Sequence, residues 1–177
     1  KWNFGLPARG TVLPNPNGRI PVTRYIGEPD VDRTTTEMTV AGYNLQHRAT
    51  DSLTFRQNLQ YSHEVWDSLE IGPSSLGGDL RTLNRWASQQ HFTYDALAID
   101  NHAELKAATG PLQHTVLFGV DYRWGRNATP GSSGTIGPID VFAPVYGSPV
   151  VWPGDQYGSW QTQNFTGVYL QDQIKLD

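Results

Sequence analysis

The 177-residue sequence contains no cysteine, no long apolar run and no excess of basic residues. Without cysteine, neither a disulfide framework nor a cysteine-ligated metal site can form. No apolar run approaches the ~18 residues that a transmembrane helix needs, which excludes a helical membrane protein. The formal net charge of -4 provides no basic stripe to neutralise phosphates, so no nucleic-acid partner is expected.

Sequence motifs of catalysis and nucleotide binding are also missing. There is no Gly-x-Ser-x-Gly elbow, phosphate-binding loop or dinucleotide fingerprint, so we predict no catalytic residue and no enzyme. The acidic residues Glu28, Asp30 and Asp32 lack the spacing of a calcium loop, and a solvated loop is expected there. No two histidines have helical i, i+4 spacing, so we predict no protein metal site and no directly bound cofactor. The histidines are His47, His63, His91, His102 and His114.

Glycine, proline and aromatic residues are plentiful, and five segments alternate between apolar and polar residues as β-strands do. In the clearest segment, alternate residues from Val116 to Trp124 are apolar, and Leu117 is the one exception on the polar side. The predicted strands cover residues 41–46, 53–61, 97–107, 112–124 and 168–175. The pattern predicts an all-β fold with two-faced strands.

The connections between these strands alternate between long and short. Two short turns are predicted at 49–52 and 108–111, and three long connections at roughly 5–33, 67–91 and 127–160. Residues 131–134 are predicted to form a mobile loop tip. Period-two alternation fits a soluble β-sandwich as well as a membrane barrel. Long loops on one side only, and aromatic residues near the strand ends, favour the barrel.

The polar side chains of successive strands fall on one face. In a sandwich this face would meet solvent, whereas in a barrel it would line a wide lumen, where charges pair across strands or hold a plug domain. The charged members of this face are Arg56, Asp100, His102, Glu104, Lys106, Asp121, Arg123 and Lys175.

Aromatic residues in and beside the long connections are the candidate ligand contacts. Stacked rings with a few polar donors suit a bulky, semi-polar ligand, although each ring could equally belong to an interfacial girdle. The first choices for ligand binding are Trp2 and Phe4, followed by Trp66 and Trp86.

Several stretches resemble the TonB-dependent siderophore receptors, within them the hydroxamate (ferrichrome and ferrioxamine) branch. The resemblance covers essentially the whole chain, in order. The stretches are LPARGTV (6–12) with PNGRIP (16–21), GYNLQH (42–47) with RQNL (56–59), ATG (108–110) with HTVL (114–117) and GVDY (119–122), and GVYLQDQ (167–173).

The resemblance implies that residues 1–177 are part of a roughly 22-stranded antiparallel transmembrane β-barrel that a separate plug domain closes. The chain starts without an initiator Met or signal peptide and stops without a turn, so we expect a barrel fragment that lacks the plug and the remaining strands. The expected location is the outer membrane of a Gram-negative bacterium, in contact with lipid and lipopolysaccharide. The expected function is uptake of a ferric siderophore, which carries the iron(III), with energy from the TonB complex acting through the plug segment.

The resemblance does not single out ferrichrome as the ligand. Ferrichrome receptors place aromatic residues in outer loops whose counterparts here, residues 71–74 and 131–134, have none. Another hydroxamate or mixed-ligand siderophore fits as well. The alternative functions are a passive outer-membrane porin and a soluble β-sandwich that binds a ligand.

Overall fold

The computed structural model describes residues 4–154 and 156–176, which form eight β-strands in one sheet. The strands are β1 (Arg33–Arg48), β2 (Leu53–Leu76), β3 (Thr82–Thr109), β4 (Leu112–Ala128), β5 (Gly131–Asp140), β6 (Val150–Val151), β7 (Gln156–Tyr157) and β8 (Trp160–Leu176). The order along the sheet is β1-β2-β3-β4-β8, while β5 pairs with β3, and β6 and β7 pair with β5. In these described ranges, no helix has the length and apolarity needed to cross a membrane.

The all-β prediction is confirmed, and each of the five predicted strands lies inside one of the five long strands of the main path. The pairings β3–β4 and β4–β8 are antiparallel without a register shift. The total number of strands in the barrel stays a prediction.

Both predicted short turns are present. The backbone N–H of Ala49 donates to the carbonyl of Leu53 (3.0 Å), and the Thr50 hydroxyl accepts from the N–H of Leu53 (3.0 Å). Only Gly110 and Pro111 separate β3 from β4. Gly110 has a φ of 60°, and glycine at the first central position is what a tight type II′ hairpin requires.

Two of the predicted long connections consist largely of strand. β2 continues to Leu76 and β3 begins at Thr82, so only residues 77–81 of the connection predicted over 67–91 lie outside the strands. The predicted loop tip at 131–134 lies in β5, paired with residues 87–90 of β3, and that prediction was wrong. A run of glycine and serine shows no alternation of apolar and polar residues, so the sequence pattern did not indicate a strand here. The strand forms because backbone hydrogen bonds between strands do not require apolar side chains. The first connection remains irregular apart from one isolated bridge between Arg9 and Leu13.

The chain divides into two compact units. Unit 1 contains the described residues up to Glu37 together with Val65–Phe92 and Thr129–Ser159. Unit 2 contains Met38–Glu64, Thr93–Ala128 and the residues from Trp160 onward.

Unit 1 has a small hydrophobic core where the irregular N-terminal segment packs against strands. Its buried members are Ile20, Ile26, Leu83, Ile139 and Val141, and partly buried Phe4, Leu6, Leu76 and Phe142 pack against them. Leu83 and Arg85 lie on the side of β3 that this segment covers. Trp86 and Ser88 occupy the alternate positions of this strand.

Unit 2 is a sheet with one apolar and one polar face, as predicted. On β4 the apolar face carries Phe118, which is paired with Ala103 on one side and with Leu170 on the other. Phe118 is 50% exposed and Leu170 73% exposed. A face of large apolar side chains that remains open requires a non-aqueous environment or a partner.

Candidate functional site

Two of the four predicted ligand contacts come together in unit 1. The rings of Phe4 and Trp86 form an edge-to-face pair with their centroids 5.1 Å apart. The indole N–H of Trp86 donates to the carbonyl of Pro73 (3.0 Å), which fixes the ring plane. Gly72 makes room for this ring, because a Cβ at Gly72 would lie 2.3 Å from it.

The other two predicted contacts are not part of this pair. Trp66 lies on β2, partly buried, and it shares its side of the strand with Gly72. Trp2 lies outside the described residues. The ligand-contact role of Trp2, Phe4, Trp66 and Trp86 stays a prediction.

Hydroxyl and amide groups continue the face of β3 that carries Trp86. The Ser88 hydroxyl lies 2.8 Å from the hydroxyl of Tyr157, and the Gln90 amide donates to the same Tyr157 oxygen (3.2 Å). The Tyr157 ring lies over Gly131, where a Cβ would approach it to 2.8 Å. An aromatic and hydroxyl-rich surface of this kind suits a semi-polar ligand. The sequence pattern did not single out Tyr157 among the aromatic residues of the long connections.

A buried ion pair anchors the N-terminal segment of unit 1. The Arg85 guanidinium donates to the Glu28 carboxylate (2.9 Å), and the side chains are 0% and 2% exposed. Arg85 also donates to the carbonyls of Ile26 (3.0 Å) and Gly137 (2.9 Å), and Glu28 accepts from the N–H of Gly147 (2.6 Å). Because both charges are fully hydrogen-bonded, the pair joins the segment to β3 and to the 137–147 region. The solvated loop predicted around Glu28 is therefore wrong for this residue.

Unit 1 has two further carboxylates of interest, Asp32 just before β1 and Glu70 on β2. The Asp32 carboxylate accepts hydrogen bonds from the Tyr25 hydroxyl and from the N–H of Glu28 (3.0 Å). Burial raises the pKa of the Asp32 carboxyl above its usual range, and these hydrogen bonds oppose the shift. Burial, followed by the neighbouring Asp32 charge, raises the pKa of Glu70 as well. No local sequence pattern relates these two carboxylates, which are 38 positions apart.

The polar face of unit 2 is a network of cross-strand hydrogen bonds. Asp100 accepts from Asn58 (3.0 Å) and from the Tyr169 hydroxyl (2.7 Å), and it contacts the His102 ring (2.9 Å). Arg56 pairs with Glu104 at 2.9 Å. The predicted pairing of charges across strands is confirmed for Arg56 and Glu104.

The apolar face of unit 2 contains one polar chain that the sequence pattern did not indicate. The Tyr43 hydroxyl donates to Gln57 (2.5 Å), and the Gln57 amide donates to Asn101 (2.7 Å). Each polar group satisfies its neighbour, which is how amide side chains are accommodated among apolar ones.

Each of three further histidines in the described ranges contacts a single carboxylate. His63 contacts Asp95 (2.8 Å), His91 contacts Asp67 (2.6 Å) and His114 contacts Asp172 (2.8 Å). Among the described residues, no three His, Asp or Glu side chains converge as metal ligands would.

The long paired strands, the tight turns and the two-faced sheet define a segment of an antiparallel β-barrel. The family model described as "TonB dependent receptor-like, beta-barrel" matches residues 1–177, and the chain belongs to this family.

The curated relatives of this chain are receptors and transporters. It is 34% identical to the ferrioxamine B receptor of Salmonella typhimurium over 98% of the chain and 24% of that protein. It is 26% identical to the ferrichrome outer membrane transporter/phage receptor of Escherichia coli K12 over 97% of the chain and 26% of that protein. The chain thus spans about a quarter of the length of these relatives.

A solved structure shows the same fold. The ferric-catecholate import receptor Fiu of Escherichia coli K12 superimposes with a TM-score of 0.68 at 17% sequence identity. The match covers 90% of this chain and 26% of the Fiu chain. At this identity the likeness concerns the fold alone.

Proposed function

We propose that the protein containing this chain is a receptor that imports a ferric siderophore across the outer membrane of a Gram-negative bacterium, with TonB supplying the energy. Membership of the TonB-dependent receptor family supports this function over the porin and β-sandwich alternatives. The relatives named as ferrioxamine and ferrichrome receptors support a siderophore as the ligand. The protein acts as a transport receptor and not as an enzyme, and the siderophore, not the protein, coordinates the iron.

In this proposal the two faces of unit 2 have different partners. The apolar face with Phe118 and Leu170 contacts the lipid and lipopolysaccharide of the outer membrane. The network around Asp100 faces the barrel interior and the plug segment through which TonB acts. The exposure of large apolar side chains on one face, and the hydrogen-bonded network around Asp100 on the other, support this orientation.

The observation that carries the ligand-binding part of the proposal is the edge-to-face pair of Phe4 and Trp86. Its rings remain partly exposed beside the hydroxyl groups of Ser88 and Tyr157. Such a surface can hold the bulky organic shell of a ferric chelate, with rings contacting carbon atoms and hydroxyl groups bonding to carbonyl or oxime oxygens.

Replacing Phe4 or Trp86 by Ala in the full-length receptor tests this site. We expect each substitution to weaken binding of a radioactive ferric hydroxamate complex about fivefold, since one aromatic contact contributes about 1 kcal/mol. Phe118→Ala is the matched control, because this exposed ring lies on the apolar face of unit 2. Full affinity in both Phe4→Ala and Trp86→Ala would remove these residues from the site. Uptake that persists in a strain without TonB would contradict the transport mechanism itself.

A further inference from the structure

Two short strands of unit 1, β6 and β7, follow each other in the chain and pair with β5. β6 pairs with residues 135–136 of β5, and β7 pairs with residues 131–132. The Trp152 ring lies over Gly134, where a Cβ would approach it to 2.7 Å, so Trp152 also contacts β5. β6, Trp152 and β7 together form a segment that we call the strap.

The strap is weakly held between two fixed ends. Before it, the N–H of Gly147 donates to the buried Glu28 carboxylate (2.6 Å), and after it, the N–H of Thr129 donates to the carbonyl of Ser159 (2.9 Å). Between these points each strand is two residues long, and Val151 is 60% exposed. Short, exposed pairings with few buried apolar contacts open at a small free-energy cost. The strap can therefore leave β5 while its ends stay in place.

One side chain of the strap reaches across β5 to β3. The Tyr157 hydroxyl lies 2.8 Å from the Ser88 hydroxyl and accepts a hydrogen bond from the Gln90 amide (3.2 Å). Ser88 follows Trp86 by two positions, so it lies on the same side of β3, about 7 Å along the strand. Tyr157 thus occupies the hydrogen-bonding groups that lie beside the Trp86 ring. A ligand that contacts the ring and bonds to these groups competes with Tyr157 for them.

We propose that the strap closes over the hydroxyl and amide groups beside the Phe4–Trp86 pair, and that Tyr157 is its latch. This inference rests on the proposed function. A ferric siderophore that approaches Trp86 replaces Tyr157 at Ser88 and Gln90 with its own oxygen atoms, which accept hydrogen bonds from these side chains. A molecule that only stacks on the ring leaves the latch closed. Tyr157 therefore selects ligands that carry hydrogen-bond acceptors beside an apolar surface.

A reversible cross-link tests whether the strap must open. Ser132 pairs with Gln156 of the strap and with Gln89 of β3. Paired residues of antiparallel strands have Cα atoms about 4.5–5.5 Å apart, within the range of a disulfide. In the full-length receptor, Ser132→Cys with Gln156→Cys locks the strap when oxidised, whereas Ser132→Cys with Gln89→Cys joins β5 to β3 and leaves the strap free. The 177-residue chain has no cysteine of its own that could compete.

The probe is the radioactive ferric complex of desferrioxamine B, and the measured quantity is its association rate constant. Oxidation of the strap cross-link should slow association about tenfold or more, because the binding-competent fraction of the receptor falls. Reduction with dithiothreitol should restore the rate, and the β3–β5 cross-link should have no effect. A locked receptor that binds as fast as its reduced form would overturn the strap and leave the receptor function intact. Absence of binding to the wild-type receptor would overturn the strap together with the proposed ferric hydroxamate ligand.

Tyr157→Phe tests the latch without a cross-link. It removes the hydroxyl but keeps the ring, so association should become about fivefold faster, the factor that corresponds to one exposed hydrogen bond. A role in stability alone would not speed association. Tyr122→Phe is the matched control, because the Tyr122 hydroxyl donates to Asn164 (2.8 Å) in unit 2 and its loss should leave the rate unchanged. An association rate in Tyr157→Phe no faster than in the wild type would overturn the latch.

Discussion

At the scale of single residues, the buried Glu28–Arg85 pair is the interaction whose disruption should lower the free energy of unfolding of unit 1 more than loss of an exposed ion pair would. Desolvation of two charges is costly, and here it is offset by hydrogen bonds from Arg85 to three backbone carbonyls and from Gly147 to Glu28. The pair also determines where the N-terminal segment packs, since it holds Ile26 and Gly27 against β3. Removing one partner leaves the other charge buried and uncompensated.

Arg85→Met should therefore destabilise unit 1 by about 3–5 kcal/mol. The expected readout is faster hydrogen exchange, in the full-length receptor, at the amides of Ile20 and Val141, which are bonded to Gly10 and Arg81. Arg48→Met is the control, because the Arg48–Asp51 pair is exposed and should contribute less than about 1 kcal/mol. Unchanged exchange in Arg85→Met would mean that packing alone holds the segment.

At the scale of strands, close approach across β4 and β8 depends on a glycine. Gly119 pairs with Tyr169, and the Tyr169 ring lies over it so that its hydroxyl reaches Asp100 at 2.7 Å. A Cβ at Gly119 would lie 2.2 Å from this ring. The polar network of unit 2 therefore requires the absence of a side chain at this position.

Gly119→Ala should displace Tyr169 and break its bond to Asp100, at a cost of about 1–3 kcal/mol. The measurement is the temperature at which the full-length receptor loses its folded, faster-migrating form in a detergent gel. Tyr169→Phe removes the same bond without a clash and should lower that temperature less. Gly78→Ala, where nothing lies within 4 Å of the added Cβ, is the neutral control. A Gly119→Ala variant as stable as wild type would show that the ring relaxes without loss.

The strands also show which elements a period-two sequence pattern can predict and which it misses. Period-two alternation predicted β4 and both of its faces, because the apolar residues from Val116 to Trp124 meet one environment. It missed β5, whose residues 131–134 are glycine and serine. That strand exists because its backbone pairs with residues 87–90 of β3, an interaction that no local pattern encodes.

At the scale of the whole molecule, β1 and β8 each have one neighbour within the described residues, and β1 is exposed along its full length. Unpaired strand edges are templates for association, and the apolar face of unit 2 adds exposed surface to them. Strands from elsewhere in the barrel would cover both edges.

The isolated 177-residue chain should accordingly fail to fold as a soluble monomer. We expect it to aggregate in aqueous buffer, whereas the full-length receptor should give a folded species in detergent. Size-exclusion chromatography with circular dichroism distinguishes the two cases. A monomer of the isolated chain that unfolds cooperatively in buffer would support the β-sandwich alternative and contradict the barrel proposal.

The candidate site could be predicted only in parts. The aromatic residues of the long connections included Phe4 and Trp86 as separate candidates. Their contact arises because the N-terminal segment packs against the core of unit 1 and because Gly72 has no side chain that would displace the Trp86 ring.

By itself, the sequence determined the all-β class, the five long strands, the two tight turns and the side of each strand that is apolar. These properties are local, since they follow from side-chain periodicity and turn chemistry over a few residues. The tertiary structure alone decided the Glu28–Arg85 anchor, the ring pair and the strand nature of residues 131–134. Each of these requires residues distant in sequence to meet in a low-dielectric place, where charge, hydrogen bonding and close approach acquire their energetic weight.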